Sequence, residues 1–243
     1  GDGFRLTATE REDLASAGAD LKLLPSLLAG NDITRRPQNR YVIDAFGYTE
    51  LKLKTEQPAI YQRLFNTVLP SRKELKRKTY RDNWWIFAEP RPAMRKAISG
   101  LPRVIATSEV SKHATFVFAD PTANQFDGSV IVFSTSDAFH LGVLSSRAHI
   151  VWKLNLGGTL ENRPRYQSYR CFDPFPFPAD VPEPLKANIR AETEALDALR
   201  KQVLAAHDDL TLTGLYNVLE ALKAGRALTD KERDVHDRGL VTL

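Results

Sequence analysis

The chain has 243 residues, of which 42% are hydrophobic and 26% are charged, and its formal net charge is +4. These values are ordinary for a globular protein with one large or two small domains. Cys171 is the only cysteine, which excludes a disulfide framework and a thiolate metal cluster and favours a reducing compartment. The longest apolar runs are too short to cross a bilayer. We therefore expect a cytoplasmic protein without a membrane partner.

The first hundred residues predict short helices joined by short strands. Thr7, followed three residues later by Glu10, is typical of a helix start with a capping box. β-Favouring residues and helical spacing of apolar residues predict the other elements. We expect strands at 40–46, 51–53 and 84–87, and helices at 58–69, in the first part of 71–81 and at 92–99.

The remaining sequence predicts a β-rich region followed by helices. Strands are expected at 104–106, 115–118 and 130–133, a helical region at 136–152 and a loop at 155–159. Prolines make 172–178 extended. A long helix at 184–207 would bury Ile189, Leu196, Leu199 and Val203, and two more helices are expected at 212–224 and after Thr229. The prediction is an α+β fold with a central β-sheet region over 1–182 and a helical C-terminal segment over 183–243.

Positive charge is concentrated in one part of the chain. From Arg35 to Lys112 there are 17 Lys and Arg against seven Asp and Glu, a local balance of +10. Aromatic and hydrogen-bonding side chains accompany these cations. A positive field of this kind is typical of a surface that binds a polyphosphate backbone, although a charge run is more often only a solvated face. The distribution predicts nucleic-acid binding.

The candidate phosphate-binding residues fall into a polar loop at 34–40, a dense cluster at 72–81 and one later lysine. On a helix, Arg72 would share a face with Lys76, and Lys73 with Arg77; phosphate oxygens would relieve the repulsion between such like charges. The candidates are Arg35, Arg36, Arg40, Arg72, Lys73, Lys76, Arg77, Lys78, Arg81 and Lys112.

A second polar loop, at 158–166, combines the three side-chain types that read base edges. Arg can bond guanine bidentately, Asn can bond adenine, and Glu can accept from the amino group of cytosine. Glu161, Asn162 and Arg163 supply all three in succession. A plain polar loop is the alternative interpretation.

Motifs for bond-making chemistry are weak. Asp44, Glu50 and Lys52 have the residue types of a Mg²⁺-dependent nuclease, in which an acid precedes Glu-x-Lys on a strand. The alternative is surface charge on a hairpin. The histidines show no zinc-ligand spacing, and no nucleophile elbow or phosphate loop is present. We expect no catalytic centre and no metal, with the nuclease as an alternative hypothesis.

Several phrases, read in order, resemble the C-terminal part of adenine-N6 DNA methyltransferases of the kind fused with nucleases in type IIL/IIG restriction–modification enzymes. The resemblance spans nearly the full chain and depends on the order and spacing of the phrases. The phrases are Leu24-Pro25, Gly30-Asn31-Asp32-Ile33, Arg36-Pro37, Tyr41-Val42-Ile43-Asp44, Trp84-Trp85-Ile86-Phe87, Arg91 with Met94-Arg95-Lys96-Ala97-Ile98, Val110-Ser111-Lys112, Gly142-Val143-Leu144-Ser145-Ser146 with His149 and Trp152, Gly157-Gly158 to Arg165-Tyr166, Phe175-Pro176-Phe177-Pro178 and Leu212-Thr213-Gly214-Leu215-Tyr216-Asn217.

The resemblance implies a target recognition domain at 1–182 that holds double-stranded DNA while a separate catalytic domain methylates adenine from S-adenosylmethionine. The Asn-Pro-Pro-Tyr motif of that domain does not occur in this chain, and we expect no cofactor in the chain itself. Because the sequence begins without Met, we expect a fragment or a processed product. The alternative is a protein-interaction specificity subunit that docks through its C-terminal helices. The base-reading positions implied by the resemblance are Glu161, Asn162, Arg163, Arg165 and Ser129.

Overall fold

A computed structural model describes residues 2–161 and 163–241. The strands, in chain order, are β1 (Arg5–Leu6), β2 (Ser26–Leu28), β3 (Tyr41–Val42), β4 (Val104–Ser108), β5 (Phe116–Ala119), β6 (Asn124–Phe126), β7 (Val130–Phe133), β8 (Gly158–Leu160) and β9 (Arg163–Arg165). The α-helices, in chain order, are α1 (Ala8–Ser16), α2 (Gly30–Thr34), α3 (Glu50–Glu56), α4 (Pro58–Thr67), α5 (Leu69–Lys73), α6 (Lys78–Asp82), α7 (Pro92–Ile98), α8 (Ala138–Ser145), α9 (Arg147–Leu156), α10 (Glu183–Ala206), α11 (Leu212–Lys223) and α12 (Asp230–Val235). The predicted α+β class is confirmed.

Contacts divide the chain into two compact units. The first unit comprises Gly1–Leu28, Gln38–Gly100 and Asp120–Gln125, and the second comprises Ala29–Pro37, Leu101–Ala119 and Phe126–Leu243. This division differs from the predicted boundary at 182, because the C-terminal helices pack inside the second unit. No helix in the described part of the chain is both long enough and apolar enough to span a membrane.

The first unit is built on a small antiparallel sheet and short helices. The N-cap of α1 is confirmed, because the Thr7 hydroxyl accepts the Glu10 N–H while the Glu10 carboxylate accepts the Thr7 N–H. Strand β3 pairs with both β1 and β2, with Arg5 opposite Val42. Helices α1 and α4 and the buried tryptophans surround a core of aliphatic and aromatic side chains. Burial of this apolar surface stabilises the unit.

Two strand predictions in the first unit are wrong. Residues 51–53 lie in α3, because Thr49 caps a helix by accepting the Lys52 N–H at 3.2 Å. The alternating Leu and Lys residues then place Leu53 in the core and leave Leu51 in solvent. Residues 84–87 form a turn instead of a strand. Trp84 and Trp85 are both buried, which a strand with one buried face cannot achieve for consecutive residues.

The centre of the second unit is a three-stranded antiparallel sheet with the order β5-β4-β7. All five residues of β4 are buried. Its register places Val104 opposite Ala119 in β5 and Ile105 opposite Phe133 in β7. The three strands predicted for this region are confirmed.

Helices cover this sheet. The predicted helical region at 136–152 is two helices, because Ser146 leaves α8 and caps α9 by accepting the His149 N–H. Helix α10 packs closely on α8. Gly142 allows this approach, since a Cβ there would lie 2.5 Å from Thr193 Oγ1 and 2.7 Å from Ile189 Cγ2.

The face that α10 buries differs from the predicted one. Thr193, Asp197, Arg200 and Val203 are buried, whereas the predicted Leu196 and Leu199 are only partly covered. Arg200 on this face donates from Nη1 to the carbonyl of Phe116 at 3.2 Å, and Asp197 accepts from Lys201 at 2.6 Å. Val203 and Leu215 share a core cluster, so α10 and α11 pack together.

Candidate nucleic-acid interface

The predicted base-reading loop is a β-hairpin. Strand β8 pairs with β9, with Gly158 opposite Arg165 and Leu160 opposite Arg163. Glu161 begins the two-residue loop with a left-handed backbone (φ 54°), a conformation favoured in such hairpins. Asn162 lies outside the described residues. The side chains of Glu161 and Arg163 are exposed, and neither has an ion-pair or hydrogen-bond partner in the described part of the chain.

Backbone hydrogen bonds join the hairpin to the central sheet. The Tyr166 N–H donates to the carbonyl of Glu109 at 2.6 Å, and the Glu109 N–H donates to the carbonyl of Ser129 at 2.7 Å. Val110 forms an isolated bridge with Arg165. The structure therefore brings two predicted base-reading positions, Ser129 and Arg165, to opposite sides of the same residue.

Ser129 is held by local hydrogen bonds. Its hydroxyl accepts the Gly30 N–H at 2.8 Å and donates to Asp127 Oδ1 at 2.5 Å. Its backbone N–H donates to the same carboxylate oxygen at 2.7 Å. The side chain is half-buried and stabilises a turn. Base reading by Ser129 stays a prediction, and it would require the hydroxyl to exchange one of these bonds.

Glu109 is a site residue that the sequence reasoning missed. Its carboxylate accepts from Arg165 Nε at 2.8 Å and from Arg165 Nη2 at 2.7 Å. The pair is partly exposed, with 41% of the Arg165 side chain and 23% of the Glu109 side chain accessible. The pair orients the Arg165 guanidinium while leaving part of it available to a ligand. The sequence offered one indication of this role: Glu109 is an acidic residue within the basic segment and directly follows the apolar strand β4.

Buried polar groups fix the end of the hairpin. Tyr166 is almost completely buried, and its hydroxyl lies 3.2 Å from His149 Nε2. His149 Nδ1 lies 2.8 Å from the carbonyl of Leu144, so this nitrogen carries the proton and Nε2 accepts from the tyrosine. Burial lowers the pKa of His149 and raises the pKa of Tyr166. Both groups are therefore neutral and serve as a rigid base for β9.

The candidate cations of the second unit differ in availability. Arg35 is exposed, and its guanidinium has no ion-pair or hydrogen-bond partner among the described residues. Arg36 donates from Nη1 to the carbonyl of Leu204 at 2.7 Å, which ties the loop to α10. Lys112 is exposed but pairs with Glu220 at 2.9 Å and donates to Asn217 at 2.7 Å. Arg35 is the most available of the three.

In the first unit, the basic segment at 71–81 is helical in its first part, as predicted, but it does not form one helix on which Arg72 would face Lys76 and Lys73 would face Arg77. Helix α5 ends at Lys73 and α6 begins at Lys78, so the expected i,i+4 pairs do not share a helical face. Arg81 stabilises the break because its Nη1 donates to the carbonyls of Leu75 and Lys76 at 2.6 and 2.8 Å. The guanidinium of Arg81 therefore organises the segment between the two helices.

Arg72 lies in the interior and not on the surface where phosphate binding was predicted. It is 7% exposed, and its Nη2 donates to the carbonyl of Ile86 at 3.2 Å. The guanidinium also lies 5.7 Å from the Phe4 ring centre and 5.6 Å from that of Tyr80. Burial lowers its pKa. We assign Arg72 a structural role that fixes the neighbouring basic residues.

Four cations remain exposed around the break, and we call Lys73, Lys76, Arg77 and Lys78 the basic surface. Within the described chain none of the three lysines has an ion-pair partner. Arg77 donates to the Tyr80 hydroxyl at 2.7 Å and lies over that ring. Arg40 is half-buried and already has an interaction partner.

The nuclease residues are not assembled into a site. Asp44 accepts two hydrogen bonds from Arg95, at 2.7 and 3.1 Å. Glu50 accepts from the Tyr61 hydroxyl, and Lys52 pairs with Glu56 along α3. The Glu-x-Lys sequence is helical, contrary to the strand that the nuclease hypothesis required. No group of three or more potential metal ligands occurs among the described residues.

The chain is similar to known proteins both in sequence and in fold. A family model for the target recognition domain of MmeI matches residues 1–179. The fold is similar to the structure of the type IIL restriction-modification enzyme MmeI in complex with DNA, with a TM-score of 0.67 and 16% sequence identity. That match covers 99% of this chain and 30% of the MmeI chain. No curated protein matches the chain.

Proposed function

The chain belongs to the family of MmeI target recognition domains, and from this premise we propose that it recognises a specific sequence in double-stranded DNA. The β8–β9 hairpin carries the proposed base-reading residues. Glu161 and Arg163 are exposed near its tip, and Arg165 is oriented by Glu109 at its base. Carboxylate and guanidinium groups can together read a C·G pair, because one accepts from cytosine and the other donates to guanine.

The attachment of the hairpin to the central sheet is the observation that carries this proposal. Recognition requires side chains held in a fixed geometry, and a free polar loop would lose affinity through ordering. Here the carbonyls of Ser129 and Glu109 both accept backbone hydrogen bonds that connect β7, β4 and β9. Asn162 is retained as a proposed base reader on the sequence alone.

Phosphate contacts would supply most of the sequence-independent affinity. We assign this role to the basic surface in the first unit and to Arg35 in the second. Arg36, Arg40, Arg81 and Lys112 already have protein partners, so any contact with phosphate would add to those interactions. Arg72 is left out of this set because it is buried.

The chain spans 30% of the length of the MmeI chain, so further chemistry would reside elsewhere in a longer enzyme. We propose that this enzyme includes a catalytic domain that methylates adenine at N6 in the cytoplasm, with S-adenosylmethionine as donor. The recognition region would hold the duplex while the target adenine leaves the stack. In this role the chain is the non-catalytic specificity part.

Selection from a random duplex library tests sequence recognition directly. The chain is incubated with the library at moderate salt, and the bound DNA is amplified and sequenced over several rounds. We expect one short motif to be enriched. The Arg163→Ala variant should tolerate other bases at one position of that motif. Recovery of unenriched DNA by the wild-type chain would contradict the proposal.

The methylation step requires the full-length enzyme. It is incubated with S-adenosylmethionine carrying a labelled methyl group and with a duplex that contains the selected motif. We expect N6-methyladenine inside the motif, identified by mass spectrometry of the nucleosides. Label on cytosine, or label independent of the motif, would contradict the proposed partnership between recognition and adenine methylation.

A further inference from the structure

Arg91 has a backbone conformation that arginine rarely adopts. Its φ and ψ are 52° and 56°, in the left-handed region. Among the described residues, the other left-handed positions are four glycines, Asn39 and Glu161. Glycine adopts this region without strain and Asn tolerates it, whereas a long side chain is strained there. Glu161 is at the proposed recognition tip, so Arg91 is the strained residue without an assigned role.

The surrounding residues hold Arg91 in this conformation. It stands between Pro90 and Pro92, and a residue that precedes proline is normally extended. Arg95 fixes the turn because its Nε donates to the carbonyl of Pro90 at 2.7 Å. The same guanidinium binds both carboxylate oxygens of Asp44. Strain that is held by several independent contacts is typical of functional positions.

Arg91 lies next to the basic surface in the first unit. The Tyr80 hydroxyl, which accepts from Arg77, donates to Glu89 Oε1 at 2.7 Å. Arg91 follows Glu89 by two residues, so their Cα atoms are at most about 7 Å apart. The side chain of Arg91 is exposed and has no partner in the described part of the chain. Arg91 is therefore a further exposed cation of the first unit, two residues from a glutamate that is linked by hydrogen bonds to the basic surface.

We propose that Arg91 binds a phosphate of the DNA backbone and that its strained conformation is kept because it fixes the backbone position from which the guanidinium reaches that phosphate. The inference rests on the proposed DNA-binding function. The planar fork of a guanidinium can bond a phosphate bidentately and loses less entropy per hydrogen bond than an ammonium group does. The strained turn fixes the backbone of Arg91, and its head group offers a geometry for phosphate that the lysines of the basic surface lack.

Three substitutions separate the strain from the charge. Arg91→Gly removes both, Arg91→Ala removes only the charge, and Arg91→Lys keeps the charge with a different head group. Lys223→Ala, at an exposed lysine without an ion pair in the last turn of α11, is the matched control. Each variant is measured by thermal unfolding and by binding to a labelled random-sequence duplex between about 50 and 200 mM KCl.

We expect Arg91→Gly to unfold about 2 °C higher than the wild type, because the strain is relieved. Arg91→Ala should unfold at a temperature no higher than the wild type. Both should bind the duplex about fivefold to tenfold more weakly, with the slope of log affinity against log salt reduced by about 0.9. Arg91→Lys should keep the wild-type salt slope but bind more weakly than the wild type, because an ammonium group cannot bond a phosphate bidentately. Lys223→Ala should match the wild type in both measurements.

Two results would overturn the inference alone: wild-type affinity and salt slope in Arg91→Gly and Arg91→Ala, or a lower unfolding temperature in Arg91→Gly than in Arg91→Ala. The first would show that the guanidinium does not contact DNA. The second would show that the conformation is not strained. A wild-type chain that does not bind the duplex would instead overturn the proposed function, and this inference with it.

Discussion

Lys153 is an unusual residue because it is a lysine that is almost completely buried. It lies on α9 and is 2% exposed. Gly157, which follows α9, lies close to Cys171, since a Cβ at Gly157 would be 3.3 Å from Cys171 Sγ. Burial lowers the pKa of Lys153 from 10.5 to about 8. The folded protein therefore favours the neutral amine more strongly than the unfolded chain does.

This shift makes stability depend on pH in a defined direction. Between pH 8 and 10.5 the unfolded chain holds a proton at Lys153 that the folded protein has released, so the free energy of unfolding rises with pH. Below pH 8 the full cost of the buried charge is present. The total effect is about 3 kcal/mol. Urea unfolding at pH 7 and pH 9.5 should show the rise in the wild type.

The Lys153→Met variant is the control for other groups that titrate in this range. It fills a similar volume without a charge, so it should be more stable than the wild type at pH 7 and lose this part of the pH dependence. An equal rise with pH in the wild type and the variant would show that Lys153 is not the group responsible.

At the residue scale, the sequence could predict which residues are cationic but not which of those cations are exposed and free to bind a ligand. Lys73, Lys76 and Arg72 look equivalent in the sequence. The structure leaves the two lysines exposed and places Arg72 against the carbonyl of Ile86. Partners that are distant in sequence, such as Glu109 for Arg165, decide which cations can meet a ligand. No local pattern identifies such partners.

Among the elements, the contact of α8 with α10 depends on one small residue. Gly142 leaves room for Thr193 and Ile189. A Cβ added at this position would have to displace both side chains. Gly142→Ala should therefore destabilise the protein by about 1–3 kcal/mol, despite the higher helix propensity of alanine. Chemical denaturation monitored by circular dichroism measures this change.

A double substitution tests the mechanism of that effect. Thr193→Ala removes the Oγ1 atom nearest to the new methyl group. The pair Gly142→Ala with Thr193→Ala should lose less stability than the sum of the two single changes. Additive losses would mean that the two helices do not meet at these residues.

Elements with a clear periodicity were predictable, and elements defined by turns were not. Strands β4, β5 and β7 are apolar and β-branched, and α10, α11 and α12 have helical spacing or a capping signal. By contrast, the alternating residues of α3 resemble a strand, and adjacent tryptophans are buried in a turn. The β8–β9 hairpin, with the sequences Gly-Thr-Leu and Arg-Pro-Arg in its strands, carried no apolar alternation from which it could be predicted.

At the scale of the whole molecule, the two compact units have different proposed roles in DNA binding. The second unit presents the hairpin, Glu109 and Arg35, and the first presents the basic surface and Arg91. The fold is shared with MmeI at 16% sequence identity. A fold that persists at this identity can keep its core while its exposed residues change. The protein family could thus be predicted from the order of short sequence segments. The exposure and the partners of the candidate site residues could be found only from contacts in the structure.

The division of labour between base readers and phosphate anchors is tested by comparing Arg163→Ala with Lys76→Ala on the selected duplex and on duplexes with one altered base pair. Arg163→Ala should reduce discrimination at one base pair by about 1–3 kcal/mol. Lys76→Ala should weaken binding to every duplex by the same factor and lower the salt slope by about 0.9. Equal loss of affinity on every duplex for both variants would contradict the account.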